Sequence, residues 1–504
     1  MSVPDQSGNF IAAHSQIYRN LFYSSVATRE RLPFLIPQGL AGAFIFPLIY
    51  LSIPHRNRPW LYSYRWTVAA FCTYINIELL TNTSAANEAV GFAVGLVASW
   101  GIMWSLTFLI FTKPQWDAQR VVRVPSRSPA RGPHLDESHR PWEYDYVWEP
   151  YPEEEGWLKR LGWTTALLLS FRGTGWNWAA PSSVPSFPPP PPLDAAPLLV
   201  PMPARTSRGN YRSLTYVSFF FSRMLHITWS YLLLDLWTVT VRQDPYFTYG
   251  RPYTQPLPAW LSCLPWPVLG VVRSLAAISG IAAALFLYTY VYQLFCVFLL
   301  GTRALGAGGE LWQYPTLFGE FKQNVLYQGM RGFWGGWWHQ TFRKGFTAPV
   351  RWLGIRDKNE RAVLEMVVGF LLSGILHACG GVTSAFRDRT WFWGPVIFFV
   401  LQGLGCVLQT ALYYKTRWWL LSKRTQRLGN ILFVTGWLHL TGWMFIDDMS
   451  AAGVWMFEPI PVSVLRLVFG WGAAPGDENW WRWAGEYGFS WYSGRTWGES
   501  GIRV

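Results

Sequence analysis

The chain has 504 residues, of which 51% are hydrophobic, 18% aromatic and only 14% charged. A soluble domain carries about 25% charged residues, and backbone groups inside a bilayer must be satisfied within helices or closed barrels. The composition therefore excludes an ordinary soluble domain and predicts an all-α polytopic membrane protein. The net charge of +13 does not indicate nucleic acid as a partner, because the basic residues lie in short segments beside apolar runs.

Eight apolar stretches are long enough to cross a hydrocarbon core of about 30 Å, which takes roughly twenty helical residues. They lie at 34–53, 62–80, 89–112, 213–240, 274–300, 362–380, 391–414 and 429–447. A ninth candidate, 453–471, is weaker because it contains Glu458 and two prolines. We therefore predict about eight to nine transmembrane helices.

The distribution of basic residues predicts which loops face the cytosol. Segments 113–132, 343–361 and 415–427 are rich in arginine and lysine, and the order of the eight spans puts all three on one side of the membrane. The positive-inside rule makes that side cytosolic and the N-terminus lumenal. We expect a multi-pass protein integral to the endoplasmic reticulum membrane.

Composition divides the chain into four regions. Residues 1–112 are expected to form an N-terminal three-span membrane region, and 113–212 a cytosolic loop that contains RGTGWNW and a proline-rich linker. A membrane-embedded core is expected at 213–471 and a C-terminal tail at 472–504. Five consecutive prolines at 188–192 make the linker a stiff extended spacer or a disordered segment.

Two histidines in the apolar half of the chain are the main candidates for chemistry. His339 lies in FWGGWWHQTFRKGF and His377 lies in LLSGILHACGG. A histidine inside a membrane is costly to place, and its ordinary pKa lets it exchange a proton near neutral pH. Two such residues on either side of one short basic connection predict proton-transfer chemistry within the bilayer.

Two interpretations of His377 are open at this point. It is either a hydrogen-bonded packing residue or a general base that takes a proton from a hydroxyl nucleophile. Cys379 is poorly placed as a nucleophile beside it, because residues two apart on a helix point to nearly opposite faces. Direct attack by an acceptor hydroxyl is therefore favoured over a covalent acyl-enzyme.

The stretch around His339 predicts a broken, re-entrant helix because glycine and proline interrupt it. Irregular backbone at membrane depth is tolerated where protein buries it or where it lines a cavity, and Trp334 and Trp338 would form aromatic walls there. Arg343 and Lys344 could bind the phosphates of an anionic cosubstrate that enters from the cytosol. The alternative is an interfacial aromatic belt whose basic side chains reach the headgroup layer.

The cysteines do not predict a metal or disulfide site. Most of the five cysteines lie in or beside apolar segments, and none shows the paired spacing of zinc ligands. We therefore expect no metal and no tightly bound cofactor.

These motifs together resemble those of the membrane-bound O-acyltransferases, and most closely the wax synthase-like branch, whose pattern is roughly FWGRRWHQ. FWGGWWHQ and SGILHACGG carry the resemblance, and FRGTGWNW, YLLLDLW and WQYPTLFG support it. The resemblance covers about 170–445. This chain departs from the pattern at Gly336 and Trp337, where the branch has two arginines.

The resemblance implies transfer of an acyl group from a coenzyme A thioester, acting as cosubstrate, to an alcohol. It implies that His377 is the principal catalytic histidine and that His339 occupies the second motif position. We expect the donor to be bound by Trp334, Trp338, Arg343 and Lys344. The last two must compensate for the missing arginine pair.

Many wax synthase-like proteins of filamentous fungi acetylate terpenoids and meroterpenoids in secondary metabolism. The resemblance therefore implies acetyl-CoA as the donor and a hydrophobic, hydroxylated terpenoid-type small molecule as the acceptor. Transfer of a long fatty acyl chain to a fatty alcohol or sterol is the nearest alternative. A proton-coupled transporter with a histidine relay is an alternative of another class, which would lead us to expect internal repeats.

Overall fold

The computed structural model describes residues 10–125, 144–180, 184–185, 204–474, 477–483 and 488–504, so the prolines at 188–192 lie outside the described residues. Helices dominate these ranges. The longer ones are α1 (Phe10–Ala27), α2 (Phe46–Ser52), α3 (Arg65–Asn82), α4 (Glu88–Leu106), α5 (Trp157–Leu169), α6 (Tyr216–Thr240), α7 (Trp266–Leu294), α8 (Arg343–Trp352), α9 (Lys358–Thr383), α10 (Trp393–Lys415) and α11 (Lys423–Ala451).

Short helical segments connect or extend these helices. Single α-turns lie at Pro59–Ser63, Pro114–Asp117, Pro245–Tyr249, Ala259–Ser262, Gly301–Leu305, Tyr327–Gly332 and Val464–Phe469. Wider π-helical turns lie at Ala41–Ile45, Thr107–Phe111, Phe295–Leu300, Lys322–Leu326 and Phe333–Trp337. Such turns often mark functional positions in helices, and the last of them belongs to the segment that carries His339.

Four helical stretches in the described part of the chain are long and apolar enough to cross a membrane. They are Glu88–Phe111, Trp266–Gly309, Lys358–Thr383 and Trp393–Lys415. Each coincides with a predicted span, and the chain is accordingly an all-α integral membrane protein. The other predicted spans also fall on helical segments, although the count of eight to nine crossings stays a prediction.

The candidate ninth span does not form a membrane-crossing helix. Residues 453–471 contain a single turn at Val454–Met456 and the six-residue helix Val464–Phe469. Six helical residues rise only about 9 Å, well short of a bilayer core. Pro459 and Pro461 lie between the two pieces, where proline cannot donate the backbone hydrogen bond that a continuous helix needs.

Polar side chains cap the starts of α4 and α9. The Asn87 side chain accepts hydrogen bonds from the amides of Ala89 and Val90 at the start of α4. Asp357 does the same for Asn359 and Glu360 at the start of α9. The first amides of a helix have no partner within the helix, so these caps supply acceptors where each apolar run begins.

The strands are few and short. Leu32–Pro33 pairs in parallel with Thr83–Ser84, and Leu35–Ile36 pairs antiparallel with Gly501–Arg503, which also pairs with Ser490–Tyr492. Arg120–Pro125 and Tyr144–Glu149 form a separate antiparallel pair. This last pair gives order to part of the region predicted as a cytosolic loop.

Helix α9, which carries His377, lies at the centre of the packing. It packs against α4, α8 and α10, and Thr383 near its C-terminal end donates a hydrogen bond to the Gly91 carbonyl of α4 at 2.7 Å. Arg31 donates to the carbonyls of Val382 and Ser384 at 3.2 and 2.7 Å. A buried cation at a helix C-terminus offsets the partial negative charge there, so the end of α9 is held firmly.

Two charged residues of α6 pack against neighbouring segments. Arg223 donates to the Gln293 side chain and to the Tyr314 carbonyl, both at 2.7 Å. Asp235 accepts from the Ser463 hydroxyl at 2.5 Å and from the Leu465 amide at 2.9 Å. These contacts join α6 to α7 and to the C-terminal segment, and they explain the buried charges without a catalytic role.

Candidate active site

A cavity of about 1620 Å³ lies among α4, α7, α9, α10 and α11 and is also lined by most of residues 333–343. Its walls are mainly aromatic and aliphatic. The lining residues on α11 run from Ile431 to Met449, a rise of about 27 Å at 1.5 Å per residue. The cavity is therefore long enough to hold an extended molecule or two molecules end to end.

His377 lines this cavity from α9. Its Nδ1 lies 2.7 Å from the Ser373 carbonyl oxygen one turn earlier. A carbonyl can only accept, so Nδ1 carries the proton and Nε2 keeps its lone pair. The ring stacks on Phe399 at 4.7 Å between centroids and meets the edge of Phe445 at 5.3 Å. The imidazole is thus fixed in one tautomer and one orientation.

His339 lines the same cavity from a non-helical stretch between the π-turn and α8. Its ring packs among Phe318, Trp338 and Phe342. Its Nδ1 is buried and has no hydrogen-bond partner among the described residues. Buried polar atoms are normally paired, so the unpaired Nδ1 is an exception beside the cavity that the residue lines. The two imidazoles also lie close enough to interact electrostatically.

Gln340 holds the broken segment in shape. Its side-chain amide donates to the carbonyls of Trp334 and Trp338 at 2.7 and 2.8 Å. The Trp338 amide donates to the Phe333 carbonyl, and the Gly319 amide donates to the Trp337 carbonyl. These bonds satisfy backbone groups that lack helical partners, which explains how irregular backbone persists beside an apolar cavity.

The supporting motifs of the resemblance converge on this segment. Arg172, from FRGTGWNW, donates to the carbonyls of Pro315 and Thr316 at 3.3 and 3.0 Å. Phe171 lines the cavity beside Trp100 and Phe342. Segments that are distant in the sequence therefore build one site, although the sequence alone did not show how they meet.

The predicted donor-binding residues divide into two groups. Trp334, Trp338 and Arg343 line the cavity. Lys344 does not, because its ammonium lies over the Trp178 ring at 5.1 Å from the centroid. Burial, followed by the nearby charge of Arg351, lowers the pKa of Lys344 to about 8. The structure thus brings together the two histidines with three of the four predicted binding residues.

Cys379 lies away from the cavity, as its spacing from His377 predicts. It is buried, and its thiol is within reach of Ser99 on α4. The residue is not among those that line the cavity. The geometry therefore offers His377 no protein thiol as a partner at this position.

Sequence reasoning missed four residues at the site. Phe399 and Phe445 orient His377, while Arg208 and Arg331 line the cavity. The two phenylalanines lie in ordinary apolar runs, which contain no local signal for a contact with histidine. The two arginines lie outside the recognised motifs, and only tertiary structure brings them to the cavity.

Fold and site together define an integral membrane protein with a two-histidine apolar cavity. Residues 314–401 match the family model described as the membrane bound O-acyl transferase family. This stretch contains both histidines, the broken segment and the whole of α9. The resemblance to this superfamily is thereby confirmed.

Curated relatives come from fungi. The chain is 26% identical over 259 residues to acetyltransferase ple2 of Rhodocybe pseudopiperita, across 50% of this chain and 56% of that protein. It is 25% identical over 276 residues to O-Mevalon transferase macI of Penicillium terrestre, across 50% and 53%. It is 24% identical over 330 residues to acetyltransferase pyr8 of Aspergillus fumigatus, across 61% and 68%.

The match thus spans little more than half the length of the first two of these relatives. No solved structure matches the chain.

Proposed function

We propose that this protein is an O-acyltransferase that moves an acetyl group from acetyl-CoA to a hydroxyl of a hydrophobic, terpenoid-type acceptor. The observation that carries the proposal is His377, whose Nδ1–H is bound to the Ser373 carbonyl so that Nε2 is the basic nitrogen of a ring lining the cavity. The names of the acetyltransferase relatives support acetyl as the transferred group. We also propose a role in secondary metabolism and a location in the endoplasmic reticulum membrane.

In the proposed reaction, the acceptor hydroxyl donates a hydrogen bond to Nε2 of His377. As its oxygen bonds to the thioester carbonyl carbon, the proton passes to Nε2 and a tetrahedral intermediate forms. Collapse of the intermediate breaks the carbon–sulfur bond. The leaving thiolate takes the proton from the imidazolium, which yields the ester and free coenzyme A and restores His377.

His339 is proposed to stabilise the intermediate from the other side of the reacting carbon. Its imidazole lines the cavity and can donate a hydrogen bond to the carbonyl oxygen as negative charge develops there. A fixed donor in an apolar site stabilises such charge more than a donor in water does. Trp334 and Trp338 would hold the acyl thioester, and Arg343 the charged part of the donor.

The apolar cavity also explains how the donor escapes hydrolysis. Water competes poorly for a site whose walls are largely aromatic and aliphatic, so the bound alcohol is the nucleophile within reach of Nε2. A terpenoid-type skeleton suits such walls, because it is apolar apart from the hydroxyl that is acylated.

The decisive experiment compares donors. Purified protein in detergent is incubated with acetyl-CoA or palmitoyl-CoA and a panel of hydroxylated terpenoids, fatty alcohols and sterols. We expect release of coenzyme A and an acetylated terpenoid-type product. Preference for palmitoyl-CoA with fatty alcohol would replace the proposal with wax ester synthesis. Proton-coupled transport in proteoliposomes without release of coenzyme A would indicate a transporter.

Substitution of Phe399 by leucine is expected to lower kcat by about 3- to 10-fold, since a stacked aromatic pair contributes roughly 0.5–1.5 kcal/mol. The leucine keeps an apolar side chain but removes the flat surface on which His377 stacks. The KM for the donor should change little. Steady-state kinetics of coenzyme A release provide the measurement.

The neighbouring Val400 gives a matched control, because its side chain is 46% exposed on the outer face of α10. Val400→Ala should retain the kinetics of the unmodified protein. Equal kcat for Phe399→Leu and Val400→Ala would show that the stacked ring does not position the base.

A further inference from the structure

Three arginines from separate parts of the chain line the cavity near the segments predicted to be cytosolic. Arg208 precedes α6, Arg331 precedes the broken segment and Arg343 begins α8. Among the described residues, no carboxylate lies within 4.0 Å of any of their guanidinium groups. Two neighbouring arginines do have a carboxylate partner: Arg205 pairs with Glu320 at 2.5 Å and Arg351 pairs with Glu365 at 2.9 Å.

Arg208 lies close enough to Arg331 and to Arg343 for their charges to repel. Burial, followed by the charge of Arg331, lowers the pKa of Arg208. Burial likewise lowers the pKa of Arg343, and the charges of Arg351 and Arg208 lower it further, while the Glu365 carboxylate, which also lines the cavity, opposes the shift. A group of like charges in a partly buried site is unfavourable unless an anion neutralises it. The cavity therefore has one end suited to a multiply charged anion.

Arg208 is held in place by a tight turn. The Gly209 amide donates to the Thr206 carbonyl at 3.0 Å, and the Thr206 amide donates to the Asn210 carbonyl at 2.8 Å. The guanidinium donates to the Gln328 side chain, and Asn324 donates to the Arg208 carbonyl at 2.8 Å. Part of the cost of ordering this long side chain is thus met before a ligand arrives.

Gly336 leaves the space that Arg208 and Asn324 fill. A Cβ atom at position 336 would lie 2.2 Å from Asn324 Oδ1 and 3.1 Å from Arg208 Cδ. A larger side chain at this position would therefore displace both residues. The Arg208 side chain can therefore occupy its position only because residue 336 has no side chain.

We propose that Arg208, together with Arg331 and Arg343, binds phosphate groups, and that Arg208 provides the guanidinium that this chain lacks at position 336. The ligand class is a nucleotide-type acyl donor with diphosphate and 3′-phosphate groups, so this inference rests on the proposed function. Guanidinium groups suit phosphate because their fork of N–H donors matches two oxygens at once. The apolar remainder of the cavity would take the pantetheine arm and the acyl group.

The test compares a donor that carries phosphates with one that lacks them. Arg208→Gln should raise the KM for acetyl-CoA by about tenfold, the effect of losing one charge-assisted contact. It should leave kcat/KM for S-acetylpantetheine unchanged. Arg205→Gln is the matched control, because Arg205 lies in the same turn region but is 59% exposed and paired with Glu320.

A binding measurement separates this inference from the proposed function. Coenzyme A should raise the melting temperature of the detergent-purified protein, and Arg208→Gln should reduce that rise while Arg205→Gln does not. If coenzyme A stabilises the protein in this Arg208-dependent way but no acyl transfer is detected, the proposed function is overturned and the phosphate site is supported. Transfer with an unchanged KM in Arg208→Gln, or equal losses with both donors, would overturn the phosphate site. Stabilisation by phosphatidylserine micelles but not by coenzyme A would also overturn it.

Discussion

Replacement of His377 by alanine is expected to reduce kcat/KM for acyl transfer by about 10²- to 10⁴-fold, the range over which general bases contribute. The variant keeps an apolar helix but loses the nitrogen that accepts the acceptor proton. Folding should survive, because His377 is only half-buried and faces the cavity. Coenzyme A release and a melting curve in detergent would measure the two effects separately.

His226→Ala is the matched control for this variant. The Nδ1 of His226 also binds the carbonyl one turn earlier, that of Ser222 at 2.6 Å, and its ring also stacks on a phenylalanine, Phe286. It does not line the cavity. If the two alanine variants lost activity equally, or if His377→Ala kept full turnover, His377 would not be the base.

The second large effect is expected on stability, from alanine at Gly95. An added Cβ would lie 1.9 Å from the Cys379 carbonyl oxygen and 2.4 Å from its carbonyl carbon. These are backbone atoms of α9, so no side-chain rotation relieves the contact. Overpacking usually lowers the free energy of unfolding by about 1–3 kcal/mol. We expect a clash with backbone atoms to cost at least the top of that range.

Thermal unfolding in detergent checks this expectation, with Gly436→Ala as the control. A Cβ at Gly436 meets nothing within 4 Å, so that variant should melt like the unmodified protein. Gly95→Ala should melt several degrees lower and lose activity, because α4 supports the helix of His377. Equal melting temperatures for the two variants would mean that α4 and α9 are not in such close contact.

The sequence predicted the uninterrupted apolar helices well. The span predicted at 89–112 is helical over Glu88–Phe111, because an apolar run between Asn87 and Lys113 leaves few alternatives. The span predicted at 34–53 was less accurate, since α-helix begins only at Phe46 after narrower and wider turns. Hydropathy does not distinguish those turns from an α-helix.

At the site, the sequence predicted the residues that belong to motifs but not those that fold against them. His339 and His377 line one cavity as the resemblance implied. Arg343 and Lys344 were predicted to act together, yet adjacent helical residues point about 100° apart. Only Arg343 faces the cavity. The position of the Arg208 side chain depends on a turn and on the absence of a side chain at Gly336. Only the tertiary structure brings these two segments together, so no local sequence pattern predicts it.

Product stoichiometry tests the central claim most directly. Purified protein is given acetyl-CoA and a hydroxylated terpenoid, and both the ester and free coenzyme A are quantified, with His377→Ala alongside. We expect one coenzyme A released for each acetyl ester formed by the unmodified protein, and neither product above background with the variant. Coenzyme A release without ester, or ester formation undiminished by His377→Ala, would contradict it.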